Sequence, residues 1–156
     1  MNNAFSNLTA AIAARLQSGL TAMDNEVTGP ATATIAILTE DAGDLVTKIN
    51  KAVDQIGMLI LIGQPHYENQ TPTAPQSQSK IKLAIAVGEV PDVWRDAAGL
   101  NPHCLDVVGY VQQLLAQYNI PGYLNLRVLR ADYVPDKKRQ LYELSLETST
   151  TLNAIA

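Results

Sequence analysis

Cysteine, tryptophan and phenylalanine each occur once in 156 residues, and only 17% of the chain is charged. A single thiol, Cys104, rules out an internal disulfide and a cysteine-based metal cage, and it suits synthesis in a reducing compartment. Long apolar runs are also missing. The strongest, Met58 to Ile62, is the size of a strand and falls far short of the roughly 18 residues of a membrane-spanning helix. The start, Met1-Asn2-Asn3-Ala4-Phe5, lacks the basic and apolar parts of a secretion signal, so a soluble protein made in the cytoplasm is expected. Surplus positive charge is absent too. A net charge of −4 opposes a broad grip on phosphate backbones, and no sequence-specific nucleic-acid binding is expected.

The chemistry-bearing motifs are equally sparse. His66 and His103 are the only histidines. No His-Glu-x-x-His, Cys-x-x-Cys, Gly-x-Ser-x-Gly or Gly-Lys-Ser/Thr arrangement occurs, so no metal, acyl intermediate or nucleotide is implied. His103 and Cys104 are adjacent, which raises a nucleophile reading. Neighbours on a helix diverge by about 100°, and a buried structural cysteine is the simpler reading. Glu40, Asp41 and Asp44 resemble a cation cluster, but acids at a helix start ordinarily complement its dipole. Asn7-Leu8-Thr9 and Asn69-Gln70-Thr71 match the glycosylation pattern, yet a chain without a secretion signal does not meet that machinery.

What is present is periodicity. Phe5, Leu8, Ile12, Leu16 and Leu20 recur at helical spacing, which predicts an N-terminal helix over residues 1–20. Gly19, Asp24, Asn25 and Gly29-Pro30 are expected to end it. A weak strand is expected over Ala33–Leu38. Leu45, Ile49, Val53 and Ile56 predict a second helix from about Asp41, stopped by Gly57. Met58–Ile62 reads as a strand covered on both faces. Residues 69–79, with no aliphatic side chain larger than alanine, read as a mobile loop. Ile81, Leu83, Ile85 and Val87 alternate with Lys82, Ala84, Ala86 and Gly88, a half-buried strand.

Asn101-Pro102 predicts a helix start, with Leu105, Val108, Val111, Leu115 and Tyr118 as its core face. Leu124, Leu126 and Val128 alternate in one closing strand, and Tyr142, Leu144 and Leu146 in another. Residues 131–139 connect them as a mobile hairpin tip at Pro135-Asp136. The order implies one α+β domain over 1–156, with a mixed, mainly antiparallel sheet and helices packed on one face.

The stretch from 81 to 146 has a distinctive layout. A strand ends in Gly88-Glu89-Val90-Pro91. Trp94-Arg95 and Gly99 follow, then an amphipathic helix, a turn and a closing pair of strands ending in Tyr142-Glu143-Leu144-Ser145-Leu146. This resembles the tail terminator and tail-completion proteins of tailed bacteriophages, of the Mu-like or lambda-like type. Many of these carry a strand ending in an acid, then an arginine, a glycine, a helix and a final hairpin. The N-terminal helix fits loosely, and the segment from Thr21 to Ile56 departs from the shorter members.

The resemblance implies a structural virion protein and not an enzyme. Such proteins form a ring, commonly of six copies, that caps the tail tube, stops its polymerisation and joins tail to head. The implied partners are the chain itself, the tail tube protein and head–tail connector proteins. The implied place is the virion neck or tail, after assembly in the host cytoplasm. Another neck or connector protein, or the cap of a contractile injection system, is the alternative. A small enzyme using Cys104 or the acidic cluster is the alternative from another class. Trp94 and Arg95 are candidate contact residues, since such side chains concentrate interface energy. Arg127 and Arg130 on the closing strands, and Lys137, Lys138 and Arg139 at the hairpin tip, are further candidates.

Overall fold

A computed structural model describes residues 4–26, 32–70, 73, 76–95 and 101–153. Gly29-Pro30, most of the tip of the 69–79 loop, Gly99 and the side chain of Phe5 lie outside the described residues. The elements in chain order are α1 (Ala4–Glu26), a 3-10 turn (Thr32–Thr34), β1 (Ala36–Thr39), α2 (Leu45–Gln55), β2 (Met58–Ile62), β3 (His66–Asn69), β4 (Gln76–Glu89), α3 (Pro91–Trp94), α4 (Cys104–Leu115), β5 (Arg127–Val134) and β6 (Gln140–Asn153). No helix among the described residues is long and apolar enough to cross a membrane.

The strands form one sheet in the order β1-β2-β4-β6-β5, with β3 also paired to β4. Every pairing is antiparallel except β1 with β2. The α+β class therefore holds, but the helices do not share one face: α1 and α4 pack on the side of Ile60 and Val87, and α2 lies over the side of Leu59 and Leu61. The alternation along β4 buries Ile81, Leu83, Ile85 and Val87 on the same face as Met58, Ile60, Ile62, Leu144 and Leu146. Leu8, Ile12, Leu16 and Leu20 of α1 and Val107, Val108, Val111 and Leu115 of α4 complete that core. A four-residue repeat of large aliphatics on each helix meets a two-residue repeat on the sheet, the condition for one continuous interior.

Several boundaries differ from the sequence reading. α1 runs through Gly19 to Glu26, because Gly19 lies against Leu114 of α4 and this close packing offsets glycine's poor helix propensity. α2 begins at Leu45 and not at Asp41. Asp44 takes a left-handed φ of 55°, so the acids lie in the preceding turn and Glu40 accepts the Gln64 N–H at 3.3 Å. In β2, Leu59 and Leu61 are only half-buried, since α2 covers their face of the sheet incompletely. β4 begins at Gln76, inside the segment read as loop, because residues 76–80 pair with 149–153 of β6. β5 likewise starts at Arg127, after Leu124 and Leu126, and runs to Val134, so residues 131–134, read as part of a mobile hairpin tip, are strand paired to residues 141–144. α4 starts at Cys104. Asn101 and Pro102 are committed to Trp94 instead, and Leu105 is left 60% exposed while Cys104, one turn before Val108, takes its place in the core.

Candidate assembly surfaces

The alternation that buries Val87 also buries the next residue on that face, Glu89, at the end of β4. A carboxylate without solvent requires charge compensation. Arg95 supplies it, with Nη2 3.1 Å from Oε1 and Nε 3.2 Å from Oε2, and the Cys104 N–H donates to Oε1 at 3.3 Å. The carboxylate raises the guanidinium pKa, chiefly through its hydrogen bond. The connection between β4 and α4 is thus held at both ends by one acid.

Trp94 is the second fastener. Its side chain is 3% exposed, its indole N–H donates to the Pro102 carbonyl at 2.7 Å, and the Asn101 amide donates to the Trp94 carbonyl at 2.6 Å. Trp94 is therefore buried and tied to Asn101 and Pro102, and Arg95, about one-third exposed, is the member of the pair that reaches solvent.

Cys104 does not have the surroundings of a nucleophile. Its thiol is buried and donates to the Val87 carbonyl at 3.4 Å. Burial, reinforced by the Glu89 charge, pushes its pKa up to about 12, the opposite of thiolate activation. His103 is exposed, and its backbone N–H is held by the Asp106 carboxylate at 3.0 Å. No three His, Cys, Asp or Glu side chains converge among the described residues as metal ligands would.

The remaining basic candidates divide between the two ends of one edge. At the hairpin tip, Asp136 Oδ1 accepts the N–H groups of Lys138 and Arg139 at 2.9 and 3.2 Å, which lowers the Asp136 pKa and fixes the turn. Gln140 pairs with Glu89 across the sheet, so Lys137, Lys138 and Arg139 share the sheet end that carries Arg95. Arg127 and Arg130 lie toward the opposite end of β5. Arg127 is 3.8 Å from Glu147, and Arg130 is 2.9 Å from Asp132.

Two features escaped the sequence reading. One is the burial of Glu89, for which the unbroken alternation from Ile81 was an available signal. The other is an apolar hollow of about 230 Å³ between α2 and the sheet, lined by Ile49, Val53, Leu59, Leu61 and Leu141, with Arg139 beside them.

No protein-family model matches the sequence, and no curated protein matches it. Its fold is similar to that of a chain from the virion of a native gene transfer agent (GTA) particle. The TM-score is 0.61 over 97% of this chain and 100% of that chain, at 16% identity. At this identity the likeness is one of fold. It extends over the whole architecture, α1 and the β1–α2–β2 segment included.

Proposed function

We propose that the chain is a structural virion subunit of the tailed-phage kind, acting as a tail terminator-like protein. Copies close into a ring on the end of a tail tube, stop its polymerisation and offer a docking face to the head. The observation that carries this reading is the end-to-end fold likeness to a virion chain of a GTA particle. The strand, acid, arginine, helix and hairpin layout supports it independently. The physical chemistry agrees, because the chain spends its conspicuous polar groups on bracing a loop: Glu89 and Arg95 hold it, and the sole thiol is kept protonated.

In this reading the partners are further copies of the chain, the tail tube protein and the head–tail connector. Arg95 and the basic tip Lys137, Lys138 and Arg139 share one end of the sheet and form the face offered to a neighbouring ring, with Trp94 bracing the chain at Asn101 and Pro102. Arg127 and Arg130 face a neighbour at the β5 edge. The place of action is the neck of the virion, after assembly in the host cytoplasm.

The test has two parts. Light scattering on the purified chain is expected to give a discrete species near six times 16.8 kDa. Added to polymerising tail tube protein, the chain is expected to shorten the tubes and decorate one end in electron micrographs. Tubes that lengthen unaffected and carry no end density overturn the terminator reading. Binding to connector rings alone transfers the chain to the connector class.

A further inference from the structure

The two outer strands of the sheet carry opposite charge. β5 and its tip, residues 127–139, hold five Lys or Arg and two Asp, a net +3. β1 and the turn into α2, residues 36–47, hold Glu40, Asp41 and Asp44 with no Lys or Arg, a net −3. β1 and β5 are the opposite edges. Asp41 and Asp44 form no ion pair among the described residues, and Arg127 and Arg130, beside Glu147 and Asp132, still leave 64% and 72% of their side chains exposed.

The strand register sets the height of each patch. Thr39 pairs with Ile62, Ile62 with Ile85, Ile85 with Leu144, and Leu144 with Ala131. The acidic turn begins immediately after Thr39, so it lies level with Arg130 and Arg127 on the far edge and away from the lysine tip. Each patch also carries an exposed aliphatic side chain, Val46 (72%) beside the acids and Leu129 (47%) between the arginines.

We infer that Arg127, Leu129 and Arg130 of one copy dock on Asp41, Asp44 and Val46 of the next, a head-to-tail contact between copies of this chain. The inference rests on the assembling-subunit reading and assigns the surfaces that reading leaves open. The acidic turn repels its own kind, so a two-fold contact through that edge is disfavoured, whereas a heterologous contact sets two arginines against Asp41 and Asp44 and can repeat around a ring. The contact works through side chains and not by extending the sheet. β5 shifts register between Val128 and Arg130, and such a bulge at an edge interrupts the ladder that a neighbouring strand would need.

The experiment is sedimentation of the full chain at low ionic strength, with charge-reversed variants. R127E/R130E makes both edges acidic, and D41K/D44K makes both basic. Each alone is expected to weaken self-association by about tenfold or more. An equimolar mixture of the two is expected to restore assembly as alternating copies, since each acidic edge again meets a basic one. K137E/K138E alters the charge by the same amount at the other end of β5 and is expected to retain assembly. Asp44 is left-handed, so D41N/D44N serves as a milder variant should the lysines unfold the turn; it is expected to weaken association in the same direction.

Three results overturn the contact: wild-type chain that stays monomeric at its solubility limit, reversed variants that associate like wild type, or a mixture that fails to recover. Retention of wild type on duplex DNA, lost in R127E/R130E while association persists, overturns it in favour of nucleic acid. Tube capping is read separately, so this contact and the terminator reading can fail independently.

Discussion

Glu89 and Arg95 meet fork to fork across the turn after β4, at 3.1 and 3.2 Å, with the carboxylate fully buried and the guanidinium about one-third exposed. The pair is asymmetric in its access to water, and that asymmetry decides what its loss would cost. A charge stranded in the interior is far more expensive than one that can turn outward.

Arg95→Ala is therefore expected to destabilise the fold by about 2–4 kcal/mol, because it leaves a buried carboxylate with little compensation. Glu89→Gln is expected to cost only about 1–2 kcal/mol, since the amide oxygen can still accept the Cys104 N–H and the guanidinium can hydrate. The diagnostic outcome is the double variant, expected to be more stable than Arg95→Ala alone. Urea unfolding of the three proteins measures this order. A double variant weaker than both singles would reject buried charge as the cause.

Gly57 joins α2 to β2 with a φ of 84°, and a Cβ there would stand 2.7 Å from the Trp94 backbone nitrogen and 2.8 Å from the Val93 Cβ. The Val90 N–H also donates to the Gly57 carbonyl at 2.7 Å, so this glycine lets α2 and α3 close on each other. Gly57→Ala is expected to cost about 2–3 kcal/mol from the left-handed backbone and the crowding together. Gly57→Asn separates the two terms. Asparagine tolerates a left-handed φ but still has a Cβ, so a full rescue in thermal melts would assign the cost to the backbone alone.

The parts of the fold legible in the sequence are those where burial is periodic. Leu8 to Leu20, Ile81 to Val87 and Leu144 to Leu146 announced their elements because each repeat faces one core. Residues 76–80 gave no such signal. They are strand because their backbone pairs with β6 beyond the edge of the core, and a hydrogen-bond ladder leaves no mark on hydropathy. The start of α4 was misplaced because Asn-Pro is an ordinary helix opening, whereas here both residues serve Trp94, a partner whose position only the tertiary fold sets. Glu89 lay within reach of the alternation. Acids are normally exposed, and only a distant arginine allows one inside. The charges of the two edges were readable individually, but their common height depends on pairings between distant segments.

Trp94 is the only tryptophan, and its indole is buried with one hydrogen bond, to Pro102. Its emission is therefore expected to be blue-shifted in the folded chain and to move red on unfolding, reporting directly on the β4–α4 connection. Trp94→Phe keeps most of the packing but strands the Pro102 carbonyl, at a cost of about 1–3 kcal/mol. A red emission maximum in the native chain would contradict the buried position.

Cys104 yields a pH test whose sign is fixed by burial. The folded thiol is held at about 12, against an ordinary value of 9.0, so the native state keeps a proton that the unfolded chain gives up. The stability this contributes is complete below the ordinary value and declines as pH rises toward the folded one, with a slope approaching 1.4 kcal/mol per pH unit. Tyr123, also raised by burial, adds to alkaline loss, so the comparison must be differential. Cys104→Ser is expected to lose stability at neutral pH, through poorer packing, and to show a shallower decline between pH 9 and 11 in urea unfolding. Burial keeps the native thiol protonated and out of reach at pH 8, so alkylation by iodoacetamide is expected to wait for unfolding. Fast labelling of the folded chain at pH 8 would show the thiol to be exposed and activated, reviving the nucleophile reading that its burial argues against.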